Sequence, residues 1–295
     1  MRSTLIRIAA TSLVQFLAVT ASLGQSQFVR TTNFFPVADA TIRSDAPDNN
    51  FGGAPFVMAG VINAGAGLSR GLIRFDLSGL PTNATVSNAT LTVVGVNLAV
   101  QDYFRLSRVL TDWSEADVTW DSPSLFSRWY APGGQIGADF FGSYSSSSLV
   151  SAPGTNQFTD NPPHPGAGLV YDTQLWISQP TQNYGWILQA SNEGPNGSLV
   201  ELGSGEDPGN QPELTVGYTL PFTPPVLTLV SSGGGQFCFS INIEPYHGYG
   251  IQRCSDLSRT NWVNLLTLDP PPYPQEYQLC FPMTTNNMFY RIGYF

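Results

Sequence analysis

The sequence contains no lysine: all 12 basic residues are arginine, against 21 acidic ones, for a net charge of -9. Only 11% of residues are charged. Binding to nucleic acid needs phosphates neutralised across a basic face, so bulk charge argues against that partner. Histidine is nearly absent. His164 sits in a Pro-rich loop and His247 in a turn, and neither has metal-ligand spacing. There is no Gly-x-Ser-x-Gly elbow and no phosphate-binding loop. Beyond the first 24 residues, no run is apolar enough to span a bilayer, which takes about 20 residues. Cysteine is absent before position 238. No stretch of the first 220 residues keeps a 3.6-residue period for long; Tyr171 to Gln179 is the best helical candidate.

What is present is glycine (29), proline (23) and aromatic residues at 12%. With 42% hydrophobic residues in 295, this composition implies many short strands joined by turns, burying one large core or two medium ones. Ile73, Phe75 and Leu77 alternate with Arg74 and Asp76. After the turn at Pro81, Ala89, Leu91 and Val93 alternate with Thr90 and Thr92. Period two of this kind reads as half-buried strands. The expectation is an all-β chain.

Arg2 and Arg7, the apolar stretch Ile8 to Val19, and the small residues Ser22 and Gly24 predict a signal peptide over 1–24, cleaved before Gln25. A membrane anchor is the competing reading, on a run short for a span. Export follows, and with it a secreted, extracellular or cell-surface location. The joint Pro221-Phe222-Thr223-Pro224-Pro225 predicts a boundary between domains 25–219 and 220–295. The Gly-, Ser- and Pro-rich stretch 131–167 reads as a mobile insertion, with a functional loop as the alternative.

The first domain resembles the DNRLRE, or disaggregatase-related, domain, also classed as carbohydrate-binding module family 96. The resemblance runs through most of 36–219. Its parts are Ala38-Asp39-Ala40 with Asn50-Phe51-Gly52, and Arg74-Phe75-Asp76-Leu77 through Leu91. Next come Trp113, Glu115 and Val118-Thr119-Trp120, then Asp172-Thr173 through Trp176. Asn183-Tyr184-Gly185-Trp186 follows, then Glu201, Glu206 and Pro212 to Leu214. The second domain is similar to short β-sandwich modules that end many secreted bacterial proteins, on Tyr249, Ile251, Ser255, Asp256, Leu257, Trp262 and Phe289-Tyr290-Arg291. The resemblance implies a jelly-roll β-sandwich that binds extracellular polysaccharide, anionic chains included, followed by a smaller fibronectin-like sandwich. It implies no separate catalytic domain.

Sugar binding needs flat aromatic faces flanked by polar groups. Trp113, Trp120, Trp176 and Trp186 occupy motif positions and read as core, with the polar Glu115 and Asp117 around them rather than as an acid–base pair. The exposed candidates are Tyr103, Trp129, Tyr130 and Tyr144, on or beside loops. Arg70, Arg74, Arg105, Arg108 and Arg128 crowd one stretch. Converging on one face they hold uronate carboxylates bidentately; the competing reading is a solvated face balanced by acids. Of these, Arg74 and Arg105 join the candidate site. Asp45, Asp48, Asn49 and Asn50 form an oxygen-rich loop that suits a structural calcium or an ordinary Asx turn.

All three cysteines lie in the second domain. If Ile243 pairs with Tyr249 across a hairpin, Cys238 faces Cys254, which predicts a Cys238–Cys254 disulfide; Cys238–Cys280 competes. The leading functional expectation is a secreted, non-catalytic polysaccharide-binding protein. A structural matrix protein and a polysaccharide lyase are the alternatives.

Overall fold

Period two prevails almost throughout. The computed structural model describes residues 4–8, 29–62, 67–221, 225, 227–233, 235–245, 247–256, 261–271, 273–282 and 288–294. They form two compact units, one within 28–221 and one within 222–295 that also takes in an N-terminal strand, Thr4–Ile8 (β1). That strand falls inside the expected leader. The apolar stretch from position 9 on and the expected cleavage point lie outside the described residues.

The first unit is all-β around a single helix. Its strands are Arg30–Phe34 (β2), Pro36–Arg43 (β3), Phe56–Ile62 (β4), Gly67–Phe75 (β5), Thr85–Leu98 (β6) and Asp102–Arg108 (β7). Ser146–Val150 (β8), Gly154–Thr159 (β9), Trp186–Ala190 (β10), Leu199–Gly203 (β11) and Glu213–Thr219 (β12) complete them. The helix is Leu169–Ser178 (α1), followed by a 3₁₀ turn, Pro180–Gln182. One curled antiparallel sheet runs β2-β12-β6-β11-β4-β5-β10-β7-β8, with β3 on β5 and β9 on β6. Curling follows from β6. Along one edge its first residues pair with β12 and its last with β11, while β9 takes the other edge. A long strand shared in this way carries the chain from one layer to the next.

The stretch 131–167 is corrected by the structure. Read as a mobile insertion, it carries regular structure: its serine run forms β8 on β7, and Gly154–Thr159 forms β9 on β6. Serine hides the pattern, because Ser145 and Ser146 are buried and spend their hydroxyls on Asp172 and the Thr159 carbonyl.

The sheet has apolar side chains on both faces. Inside the curl, Phe75, Phe104, Phe158, Trp176, Trp186 and Leu188 pack with α1. On the other face, Ala38, Ala40, Ile42, Leu72 and Ile187 are covered by the excursion 110–141, which brings Trp113, Val118, Trp120, Trp129 and Phe140 down onto them. Fully burying a large apolar side chain stabilises by about 1.5–3 kcal/mol, so this cap is a second core and not a loop.

The second unit is a sandwich of two antiparallel sheets. Leu227–Gly233 (β13), Gln236–Ile243 (β14) and Gln275–Pro282 (β17) form one. Tyr249–Cys254 (β15), Val263–Leu268 (β16) and Met288–Tyr294 (β18) form the other with β1. Phe237, Phe239, Ile241 and Ile243 meet Tyr249, Ile251, Tyr290 and Ile292 between the layers. Ile243 and Tyr249 therefore lie in different sheets and do not form the expected hairpin. This corrects the cysteine pairing. Cys238 stands opposite Cys280 across β14 and β17 and is bonded to it; Cys254 is free and buried. Trp262 is half-buried beneath the Arg291 guanidinium, 4.2 Å away, while Leu257 lies outside the described residues.

Candidate binding face

The cap is fastened at many points. The indole N–H of Trp113 donates to the Tyr184 carbonyl at 2.8 Å, and that of Trp129 to the Thr119 carbonyl at 3.0 Å. Asn50 Nδ2 donates to the carbonyls of Glu115 (2.7 Å) and Val118 (2.8 Å). Arg70 Nη1 donates to the carbonyls of Gly133 and Gly134, while its other nitrogens grip Glu193 at 2.6 and 2.9 Å. Gly133 has a φ of +82°, and a Cβ there lies 2.5 Å from the Trp120 ring, so both backbone and space demand glycine. Asp139, buried, gathers the amides of Tyr130 (2.9 Å) and Gln135 (2.8 Å).

This architecture absorbs several residues expected to bind ligand or metal. Trp129 is a core residue, 5% exposed, because the chain after it turns the ring under the cap. Two of the three residues of the calcium reading, Asp45 and Asn50, are engaged within the chain. Both carboxylate oxygens of Asp45 are taken by Arg43, at 2.8 and 3.0 Å, and Asn50 is the latch just described. Asp48 stays exposed. Among the described residues, no group of three or more His, Cys, Asp or Glu is arranged to hold a metal ion. Glu115 accepts the Asp39 amide at 2.7 Å and Asp117 accepts the Ser114 hydroxyl at 2.8 Å, so both are structural.

The arginines do not converge. Arg70 pairs with Glu193, Arg74 with Asp112 at 3.1 Å, and Arg128 with Asp121 at 3.7 Å. Arg74 also lies over the Trp113 ring, 5.1 Å from its centre. Arg108 is buried and bonded to Asp172, which also receives the Ser145 hydroxyl and, at 2.8 Å, the Trp186 indole N–H. Burial pushes the Asp172 carboxyl up, against the lowering pull of Ser145, Arg108 and Trp186.

Arg105 is different. It is exposed and makes no ion pair among the described residues; its guanidinium lies 5.1 Å from the centre of the Tyr144 ring. Alternation along β7 sends Phe104 and Leu106 into the core and Tyr103 and Arg105 outward. Tyr103 is 53% exposed. Paired residues of antiparallel strands share a face. Arg105 is therefore flanked by Ser147 on β8 and Gln189 on β10, and Tyr103 by Leu149. The result is a strip of two tyrosines, one unpaired guanidinium and neighbouring polar groups, on the cap's side of the sheet. Tyr130 stands exposed on the cap, and among the described residues no hydrogen bond or ring contact joins it to this strip.

Residues 30–125 match the family model of carbohydrate-binding module family 96. The family 96 match spans β2 to β7 and the tryptophan-bearing start of the cap, so it includes Tyr103 and Arg105 but not Tyr144. No curated protein matches the chain.

The Arg108–Asp172 pairing and the place of Gln189 are not legible in the sequence. A lone acid among apolar helix positions, Asp172 four residues before Trp176, was the available signal for a buried charge in need of a partner.

Proposed function

We propose that residues 28–221 bind an extracellular polysaccharide without cleaving it, across the strip of Tyr103, Arg105 and Tyr144. The observation that carries the reading is the unpaired Arg105 guanidinium stacked on Tyr144, two residues from exposed Tyr103, in a unit whose first half matches family 96. Tyrosine rings offer a face to sugar C–H groups, and Arg105, Gln189 and Ser147 offer hydrogen bonds to hydroxyls or to one carboxylate. The structural duties of Glu115 and Asp117 favour binding over turnover. A leader-like start and a Cys238–Cys280 disulfide favour export, since such bonds persist in oxidising compartments. The second unit serves as a spacer or attachment module.

Affinity electrophoresis of the full chain through gels containing neutral or uronate polysaccharides tests this. The expected result is retardation by at least one glycan, weakened about tenfold by Tyr103→Ala and by Arg105→Ala; one aromatic contact contributes about 0.5–1.5 kcal/mol. Absence of retardation in every gel overturns it. New unsaturated-uronate absorbance establishes a lyase instead. One feature favours a matrix role: Leu125 and Phe126 are exposed on a tight cap turn, Phe126 at 95%, as a protein-contacting tip would be.

A further inference from the structure

A cleft of about 200 Å³ opens where β7 ends. Arg108, Val109 and Leu110 form one wall, Leu175 of α1 and Gln182 of the 3₁₀ turn the other, and Tyr184 completes the lining. Its walls are preformed. Val109 N–H donates to the Gly185 carbonyl at 2.9 Å, and Leu110 N–H to the Asp139 carbonyl at 2.8 Å. Gly185 has a φ of +74°, and a Cβ there lies 2.1 Å from the Ile73 carbonyl oxygen, so the turn holding Tyr184 admits only glycine. Arg108 is fixed by Asp172 and lies over the Phe141 and Tyr171 rings. Alternation along β7 sends Arg105 to the opposite face, so the cleft is separate from the strip.

We infer that this cleft is a second subsite, for a single neutral pyranose unit; the inference rests on reading this unit as a glycan binder. Size sets the first limit. Clefts that take drug-sized ligands run to ~300–1,000 Å³, so this one holds one ring. Lining sets the second: Leu110, Leu175 and Tyr184 suit the C–H face of a sugar. Gln182 donates its Nε2 to Gln179 at 2.5 Å and keeps Oε1 for a hydroxyl. Charge sets the third, because Arg108 is already neutralised by Asp172 and offers no net charge to a carboxylate.

Saturation-transfer difference NMR on the full chain tests the inference. The probes are methyl glucopyranoside, methyl galactopyranoside and methyl mannopyranoside, with methyl glucuronopyranoside as the charged comparator. The expected result is transfer to at least one neutral glycoside, weakened about tenfold by Gln182→Ala, abolished by Leu175→Trp and unchanged by Tyr103→Ala. Gln182 is exposed and outside the core, so Gln182→Ala decides the matter if Leu175→Trp fails to fold. No transfer to any neutral glycoside, transfer only to the glucuronoside, or transfer indifferent to Gln182→Ala overturns the cleft. If instead polysaccharide retardation is absent while cleft-dependent transfer persists, the strip fails and the cleft stands.

Discussion

Asp39 shows how far a single residue departs from its sequence appearance. It lies inside the Ala38-Asp39-Ala40 motif, between two small apolar residues, and is 2% exposed. Its Oδ2 accepts the Gly205 amide at 2.7 Å. Burial pushes its carboxyl up to about 7 from the ordinary 3.8; the Gly205 bond opposes this, and the nearby Glu206 and Glu115 charges add to it. The folded chain therefore holds this proton more tightly than the unfolded chain does. Its contribution to stability is complete below about pH 4 and is lost as pH rises toward about 7, at up to ~1.4 kcal/mol per pH unit. Urea midpoints measured from pH 4 to 8 are expected to carry this falling component. Asp39→Asn, which is neutral at every pH, is expected to remove it; an unchanged pH profile in that variant refutes the assignment. Trp129 teaches a related lesson. Its position beside loops suggested exposure, yet its ring is under the cap, because nothing in a local sequence window shows that 110–141 folds back onto β3 and β5.

Elements were legible where side-chain chemistry matched the period and obscure where it did not. β5, β6 and β14 alternate in apolar and polar residues, and the strand pattern was plain. α1 was found at Tyr171 to Gln179 within two residues of its ends. β8 is not legible, because four serines carry no hydrophobic phase. The disulfide partner is not legible, because which strands are neighbours within a sheet is not written in any single strand. The junction between α1 and β7 is where an element's stability concentrates. Arg108, Asp172, Ser145 and Trp186 form one buried network there. Removing one partner leaves the other charge buried and uncompensated, at about 3–5 kcal/mol. Asp172→Ala and Arg108→Ala are each expected to destabilise by that amount, and the double variant by clearly less than their sum. Additive losses in urea unfolding show that the pair is not coupled.

At the scale of the molecule, the acidic balance and the arginine count point in opposite directions until pairing is considered. Arg70, Arg74, Arg108 and Arg128 are each neutralised by a carboxylate of the same chain, which composition cannot show. Arg105 brings a single cation to the strip. Binding to a uronate chain is therefore expected to depend weakly on salt. Each released counterion contributes a log–log slope near -0.9 on DNA, so a slope shallower than -1 is expected here between 50 and 200 mM salt. A slope of -3 or steeper shows that several arginines engage ligand and refutes the one-cation face. The family likeness is readable from ordered motifs, whereas the proposed face depends on how much of its own side of the sheet the cap leaves uncovered.

The cross-link in the second unit also has a mechanical side. Cys238 and Cys280 are 42 residues apart, and β15 and β16 lie between them. When the unit is pulled from its two ends, the bond carries the load past those strands. Roughly 140 Å of chain then stays locked against extension, at about 3.3–3.6 Å per residue, until the sulfurs are reduced. A tether built on this unit is thus short and stiff under tension while oxidised, and long and yielding once reduced.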